Sequence, residues 1–217
     1  MKRLIAFGCS NTQGHGLPGF RFNVDPIKCK ASQFAWPGYL AEHFACESVN
    51  LGFSGASNKF ICSRILEYDF NPQDCVVILW SAFVRSCVFG DFQGTYYQRL
   101  IPSDMKQPNR ARDCAGCDQK TIKRYFKHLS SDQDSKFNSF VLINFAKQHL
   151  DNLGVENYHF CWDAKPDIPR WNRTNIVFRD FDYTLGTAED HEHPDKAAHE
   201  KMACDMLADI SQKRNSP

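Results

Sequence analysis

The sequence predicts an α/β domain, a parallel sheet of about five strands lying between helices. Three observations predict it. Short apolar runs alternate with stretches of helical periodicity. The first run ends abruptly in a small-residue turn, Gly8-Cys9-Ser10-Asn11-Thr12-Gln13-Gly14. The 217 residues, 42% hydrophobic and 24% charged, suffice for one domain with a single sizeable core.

The strands are expected at residues 3–7, 47–51, 75–80 and 158–162, with a weaker one at 175–178, each a short apolar run between polar or turn residues. Helices are expected between them. Residues 33–44 place Phe34, Tyr39, Leu40 and Phe44 at near-helical spacing, with Pro37 in the first turn. Residues 58–68 follow a capping Ser57 and put Phe60, Ile61, Ile65 and Leu66 on one face. Residues 137–150 align Phe140, Val141, Asn144, Phe145 and His149, and residues 195–210 turn Ala198, Met202, Met206 and Leu207 inward. Two polar insertions, at about 89–136 and 163–189, interrupt the pattern and are expected to lie over the carboxyl edge of the sheet.

A formal net charge of +1 gives no electrostatic reason to expect nucleic acid or an anionic membrane as partner. No apolar run approaches the ~20 residues of a membrane span. After Lys2-Arg3 only Leu4 to Phe7 are apolar, so no secretory leader is expected and the reading is a cytoplasmic, reducing environment. Most of the ten cysteines are then reduced packing residues. Cys114 and Cys117 have zinc-ligand spacing but no second pair to complete a site.

Three places carry chemistry. Ser10 stands just past the first strand, where open α/β sheets hold their ligands; a serine there is a nucleophile given a base, and otherwise a turn residue. The stretch Asn50-Leu51-Gly52-Phe53-Ser54-Gly55-Ala56-Ser57-Asn58 follows the second strand, and Gly55 can bring a backbone N–H close to a substrate. Within it Ser54 mimics a nucleophile elbow, but too few strands precede it for that architecture. Near the other end, Asp190-His191-Glu192-His193-Pro194 places Asp190 and His193 three residues apart, the spacing by which a carboxylate holds an imidazole. Solvated charge before a helix and a metal cluster of His191, His193 and His199 are the other uses of this segment.

Together, in chain order, these places resemble the SGNH (GDSL-like) hydrolase family. Gly8-Cys9-Ser10 stands for its first block, Asn50 and Gly55 for its second, and Asp190-x-x-His193-Pro194 for its last. The resemblance implies a flavodoxin-like three-layer α/β/α sandwich and a serine esterase acting on an acyl or acetyl ester, on a carbohydrate or a lipid. It implies Ser10 as nucleophile, His193 as base, Asp190 as its orienter, and an oxyanion hole from the Ser10 and Gly55 amides, with no metal or cofactor.

The sequence departs from the family twice. Cys9 replaces an aspartate. The third block, Gly-x-Asn-Asp, is missing: the strand is followed by Ser81-Ala82-Phe83-Val84-Arg85, and Phe83 cannot donate to an oxyanion. Ser81, Asn11 and Asn58 are the candidates to replace that donor. Arg85 is a candidate for an anionic substrate group, although pairing with a carboxylate is the commoner use of a surface arginine. The missing block keeps a rival open, a non-catalytic binding protein on the same scaffold; a zinc-dependent hydrolase is a third reading. Trp36, Trp80, Trp162, Trp171, Tyr96 and Tyr97 are candidates for stacking on sugars, though aromatic residues more often build core.

Overall fold

The structure, a computed structural model, describes residues 1–21, 29–92, 95–100, 119–162 and 174–215. Five strands form one parallel sheet: β1 (Arg3–Gly8), β2 (Glu47–Asn50), β3 (Asp74–Trp80), β6 (Glu156–Cys161) and β7 (Ile176–Phe178), in the order β2-β1-β3-β6-β7. Strand order reverses at β1, which pairs with β2 through Ile5↔Val49 and with β3 through Ile5↔Val76. The carboxyl ends of β1 and β3 therefore flank the switch point of the sheet.

Alternation along the buried strands builds two cores. Ile5, Phe7, Val76, Ile78 and Trp80 face α3 (Asn58–Leu66) and α5 (Asp132–Asn152). Leu4, Ala6, Cys75, Val77 and Leu79 face α2 (Trp36–His43) and α6 (Lys196–Arg214). This is the expected three-layer sandwich. Ser57, Ser131 and Asp195 cap α3, α5 and α6 with their side-chain oxygens, and Pro37 falls in the first turn of α2. At the opposite edge of the sheet, Arg3 donates to both Asp74 oxygens (2.9 and 2.6 Å), tying β1 to β3. Burial pushes the Asp74 carboxyl up, but Arg3 and the Asn71 amide outweigh it and hold it below the usual carboxylate range.

The first insertion is not simply a loop. β4 (Ser86–Phe92) and β5 (Thr95–Leu100) form an antiparallel hairpin, and α4 (Gln119–His128) precedes α5. The runs Cys87-Val88-Phe89 and Thr95-Tyr96-Tyr97 have the β-branched and aromatic character of strands, diluted by polar neighbours. The stripe expected on α5 is also displaced. Ser139, Phe140, Ile143, Ala146 and Leu150 are buried, whereas Val141 and Phe145 are exposed. Small Ser139 and Ala146 let α5 approach α3, so shape rather than hydrophobicity selects the buried face. Leu66 of α3 is likewise exposed. Cys114, Cys117 and Trp171 lie outside the described residues, and every described cysteine is a free thiol. Among the described residues no helix is long and apolar enough to cross a membrane.

Two core histidines make the fold acid-sensitive. His159 Nδ1 accepts from Trp80 Nε1–H (3.1 Å), so its proton sits on Nε2, facing Asn157 Oδ1 (2.9 Å). His199 Nδ1 accepts from the Trp36 amide (3.2 Å). Burial holds both imidazoles down to about 3. The unfolded chain binds these protons near pH 6.5 and the folded chain does not, so stability is complete above about pH 6.5 and falls as pH drops toward 3. Urea denaturation should show a loss of about 1.4 kcal/mol per pH unit for each histidine across that window. A flat profile between pH 7 and pH 5 would contradict the buried neutral histidines.

Candidate active site

The site forms where the sequence breaks away from β1. Gly8 ends the strand, and Cys9 O accepts from the Thr12 and Gln13 amides (both 3.0 Å), starting α1 (Ser10–Gln13) at once. A Cβ on Gly8 would stand 2.8 Å from Leu79 O and overlap Thr12, so only glycine lets the helix fold back so closely over the strand end. Ser10 is thereby placed at the switch point, buried to 6% exposure, with Asn11 beside it in the same turn.

The Asp190–His193 pair comes from a loop that closes on itself. Thr187 bridges Pro194 antiparallel, Ala188 N–H donates to His193 O (2.8 Å), and His191 turns the chain at φ 56°. A non-glycine residue in that left-handed region stores about 1–2 kcal/mol. Inside the ring, Asp190 Oδ1 accepts from the Glu192 and His193 amides (3.0 Å each) and Oδ2 accepts from His193 Nδ1 at 2.6 Å. Burial pushes the Asp190 carboxyl up, but these donors outweigh it and hold it below the usual range, so it is ionised at neutral pH. An ionised acceptor on Nδ1 fixes the neutral His193 tautomer with its lone pair on Nε2. Among the described residues Ser10 Oγ and His193 share no hydrogen bond.

A third histidine joins them that sequence reading missed. His15 follows α1; its ring lies 4.6 Å from His193 at an interplanar angle of 25°, with Phe20 4.4 Å away from it. His15 Nε2 is 3.8 Å from Asp190 Oδ2, and Nδ1 lies 2.8 Å from Ser54 Oγ. Gln13 Oε1 accepts from both the Ser54 amide (2.9 Å) and Ser54 Oγ (2.8 Å). The backbone donor identifies that Gln13 atom as the oxygen, so the Ser54 proton points to Gln13 and Ser54 accepts from His15 Nδ1–H. With its proton directed at Gln13, Ser54 serves as a strut between Gln13 and His15. Only Gln13 and His15 being polar in a glycine-rich turn hinted at this brace.

The remaining candidates divide. Gly55 is buried in the β2–α3 turn, where Ala56 N–H donates to Phe53 O (3.0 Å). Asn50 braces that turn against α1 by donating to Thr12 O (2.6 Å). Asn58 is 1% exposed and its amide is fully engaged: Oδ1 accepts from Ser81 N–H (2.8 Å), and Nδ2 donates to Ser81 O and Ser139 Oγ (3.1 Å each). Ser81 Oγ accepts from Arg85 Nη1 (3.1 Å). Phe83 is core, packed 5.4 Å from Phe140. The Asn11 side chain makes no hydrogen bond to another described residue.

The cluster of His191, His193 and His199 does not assemble: His191 is exposed, while His199 is fully buried against Trp36. His15, Asp190 and His193 do gather, with ligand atoms within 4.8 Å of one another. Asp190 Oδ2 and His193 Nδ1 stand at 2.6 Å, nearer than the ~3.4 Å between two ligands of one tetrahedral zinc, so these two atoms are hydrogen-bonded to each other. The arrangement is that of a hydrogen-bonded acid–base pair.

No protein-family model and no curated protein matches the sequence. Solved structures do. A lipolytic protein assigned to the G-D-S-L family, from Desulfitobacterium hafniense, superposes with a TM-score of 0.52 at 13% identity, over 94% of this chain and 96% of its own. An acetyl xylan esterase from Butyrivibrio proteoclasticus gives 0.53 at 11% identity, over 98% of this chain and 64% of its own. A carbohydrate esterase whose active site displays divergent catalytic and non-catalytic binding functions gives 0.54 at 13% identity, over 99% and 66%. The chain thus spans about two thirds of the length of the two carbohydrate-active neighbours. These likenesses establish an SGNH (GDSL-like) fold.

The tight seat of the ring gives a test. Gly16 has φ +79°, and a Cβ there would meet Asp190 Cγ and Ala188 Cβ at 2.9 Å. Gly16→Ala should cost at least about 1–2 kcal/mol for its backbone conformation alone and should displace Asp190. In proton NMR the far-downfield His193 Nδ1–H resonance should shift or vanish in this variant. An unchanged resonance would mean the ring does not rest on Gly16.

Proposed function

We propose that the protein is a serine esterase of SGNH type, hydrolysing an acyl or acetyl ester through Ser10, His193 and Asp190. The observation that carries this reading is the Asp190–His193 pair at 2.6 Å, its Nδ1 engaged by the carboxylate, with Ser10 standing just past the carboxyl end of β1. The neighbouring folds with esterase and lipolytic names support ester chemistry, and two of them favour a carbohydrate ester.

In this reading His193 Nε2 removes the Ser10 Oγ proton as the oxygen attacks the ester carbonyl. Asp190 stays ionised and stabilises the imidazolium without taking the proton. The Ser10 and Gly55 amides donate to the oxyanion. His193 then returns its proton to the leaving alcohol, and water repeats the sequence on the acyl-enzyme. The hydrogen bond between nucleophile and base forms when substrate fills the site. Phe83 takes no part; the amide of Asn11, beside the nucleophile, supplies the third donor. Asn58 and Ser81 act behind the site by fixing the carboxyl end of β3. His15 holds the His193 ring from its face.

A second reading, a binding protein on this scaffold, is favoured by one feature: Asn58 and Phe83, near the missing block, are built into the core.

A fluorophosphonate probe separates the two. We expect one adduct on Ser10, lost in Ser10→Ala and slowed by roughly 10³-fold or more in His193→Ala. Asn11→Ala should lower kcat for a short acyl ester by roughly 10²-fold. Folded wild-type protein that takes no adduct would sink the esterase reading and leave the binding module.

A further inference from the structure

We propose that Arg85 forms a carboxylate-binding subsite beside Ser10, so that the ester accepted here carries a negatively charged group. This deepens the esterase reading and rests on it.

The register sets Ser10 beside Ser81, the residue that holds Arg85. Gly8 lies opposite Leu79 in the parallel pair β1–β3, and Ser10 and Ser81 each follow two residues later. Both leave the sheet at the switch point, one strand apart. Arg85 closes the tight turn after β3, its N–H donating to Ala82 O (3.1 Å), and its Nη1 donates to Ser81 Oγ (3.1 Å). Ser81 is itself pinned through its backbone N–H and C=O to the Asn58 amide. Beyond it the guanidinium carbon lies 5.2 Å from the ring centre of Trp162, which follows β6. The head group is therefore held from two sides before any ligand arrives, which lowers the entropy lost on binding.

Among the described residues the guanidinium faces no acid: no carboxylate pairs with Arg85, and its only hydrogen bond is the one to Ser81. The guanidinium also borders a cavity of about 350 Å³ lined by residues of α3, α5 and the turn after β3, within the usual size of small-ligand sites. Lys59 adds a second cation to the cavity wall and Asp134, which accepts from Asn138 Nδ2 (2.8 Å), one anion, so these three side chains carry a net positive charge. With Nη1 engaged, the fork retains its Nε and Nη2 donors, matched to a planar carboxylate.

The test compares paired esters that differ in one charge: 4-nitrophenyl hemiglutarate against 4-nitrophenyl pentanoate for the acyl side, and 4-acetoxybenzoate against its methyl ester for the alcohol side. Wild type should prefer the anionic member of at least one pair by about 10- to 100-fold in kcat/KM. Arg85→Gln should bring that ratio close to one, and Arg85→Lys should keep part of it. A ratio near one in wild type, with turnover that still requires Ser10, would overturn the subsite and leave the esterase standing. If Ser10 proves inert, isothermal titration of wild type with glutarate decides the subsite alone. Binding lost in Arg85→Gln, with melting curves showing both proteins folded, supports it; no binding, or binding of inorganic phosphate in its place, overturns it.

Discussion

The arrangement of the site depends on one close approach, the seat of a four-residue helix on the end of β1. A helix that short has no stability of its own. It exists because Gly8 leaves room for it over Leu79 O, and because neighbouring chain ties it down. Asn50 reaches Thr12 O, and the Ser32 amide donates to Gln13 O (2.9 Å). Gln13 in turn holds Ser54, and Ser54 takes the hydrogen bond of His15. The nucleophile candidate, the glycine turn after β2 and the face of His193 are therefore coupled through a single short segment. Filling the gap at Gly8 would disturb all three.

The histidines show how one side chain serves opposite ends by placement. His159 and His199 are enclosed, each accepting from a fixed N–H, and burial keeps them uncharged. His193 is only half-buried and has a carboxylate on Nδ1 instead of a donor. A donor on one nitrogen makes an imidazole a structural acceptor, whereas an ionised acceptor there leaves the other nitrogen basic.

Much of this was legible in the sequence because it is local. Apolar runs mark the five strands of the sheet, and the three-residue spacing of Asp190 and His193 is enough for one loop to join them. What was not legible depends on partners far away in sequence. His15 and Ser54 are 39 residues apart, and nothing in either segment announces the other. Asn58 reads as a ligand because it follows a glycine-rich turn, yet it lies 23 residues from the strand end it pins. On α5 the apolar pattern misled, since Phe145 is exposed and Ala146 is buried. Charge hid α4 in the same way, because Lys120, Lys123, Arg124 and Lys127 obscure its helical period.

The loop from Thr187 to Pro194 keeps its own shape. Its ring is closed by its own backbone, and both oxygens of Asp190 are occupied from within it. The Asp190–His193 geometry is thus set within one loop, and the β4–β5 hairpin and α4 supply none of the hydrogen bonds that hold it.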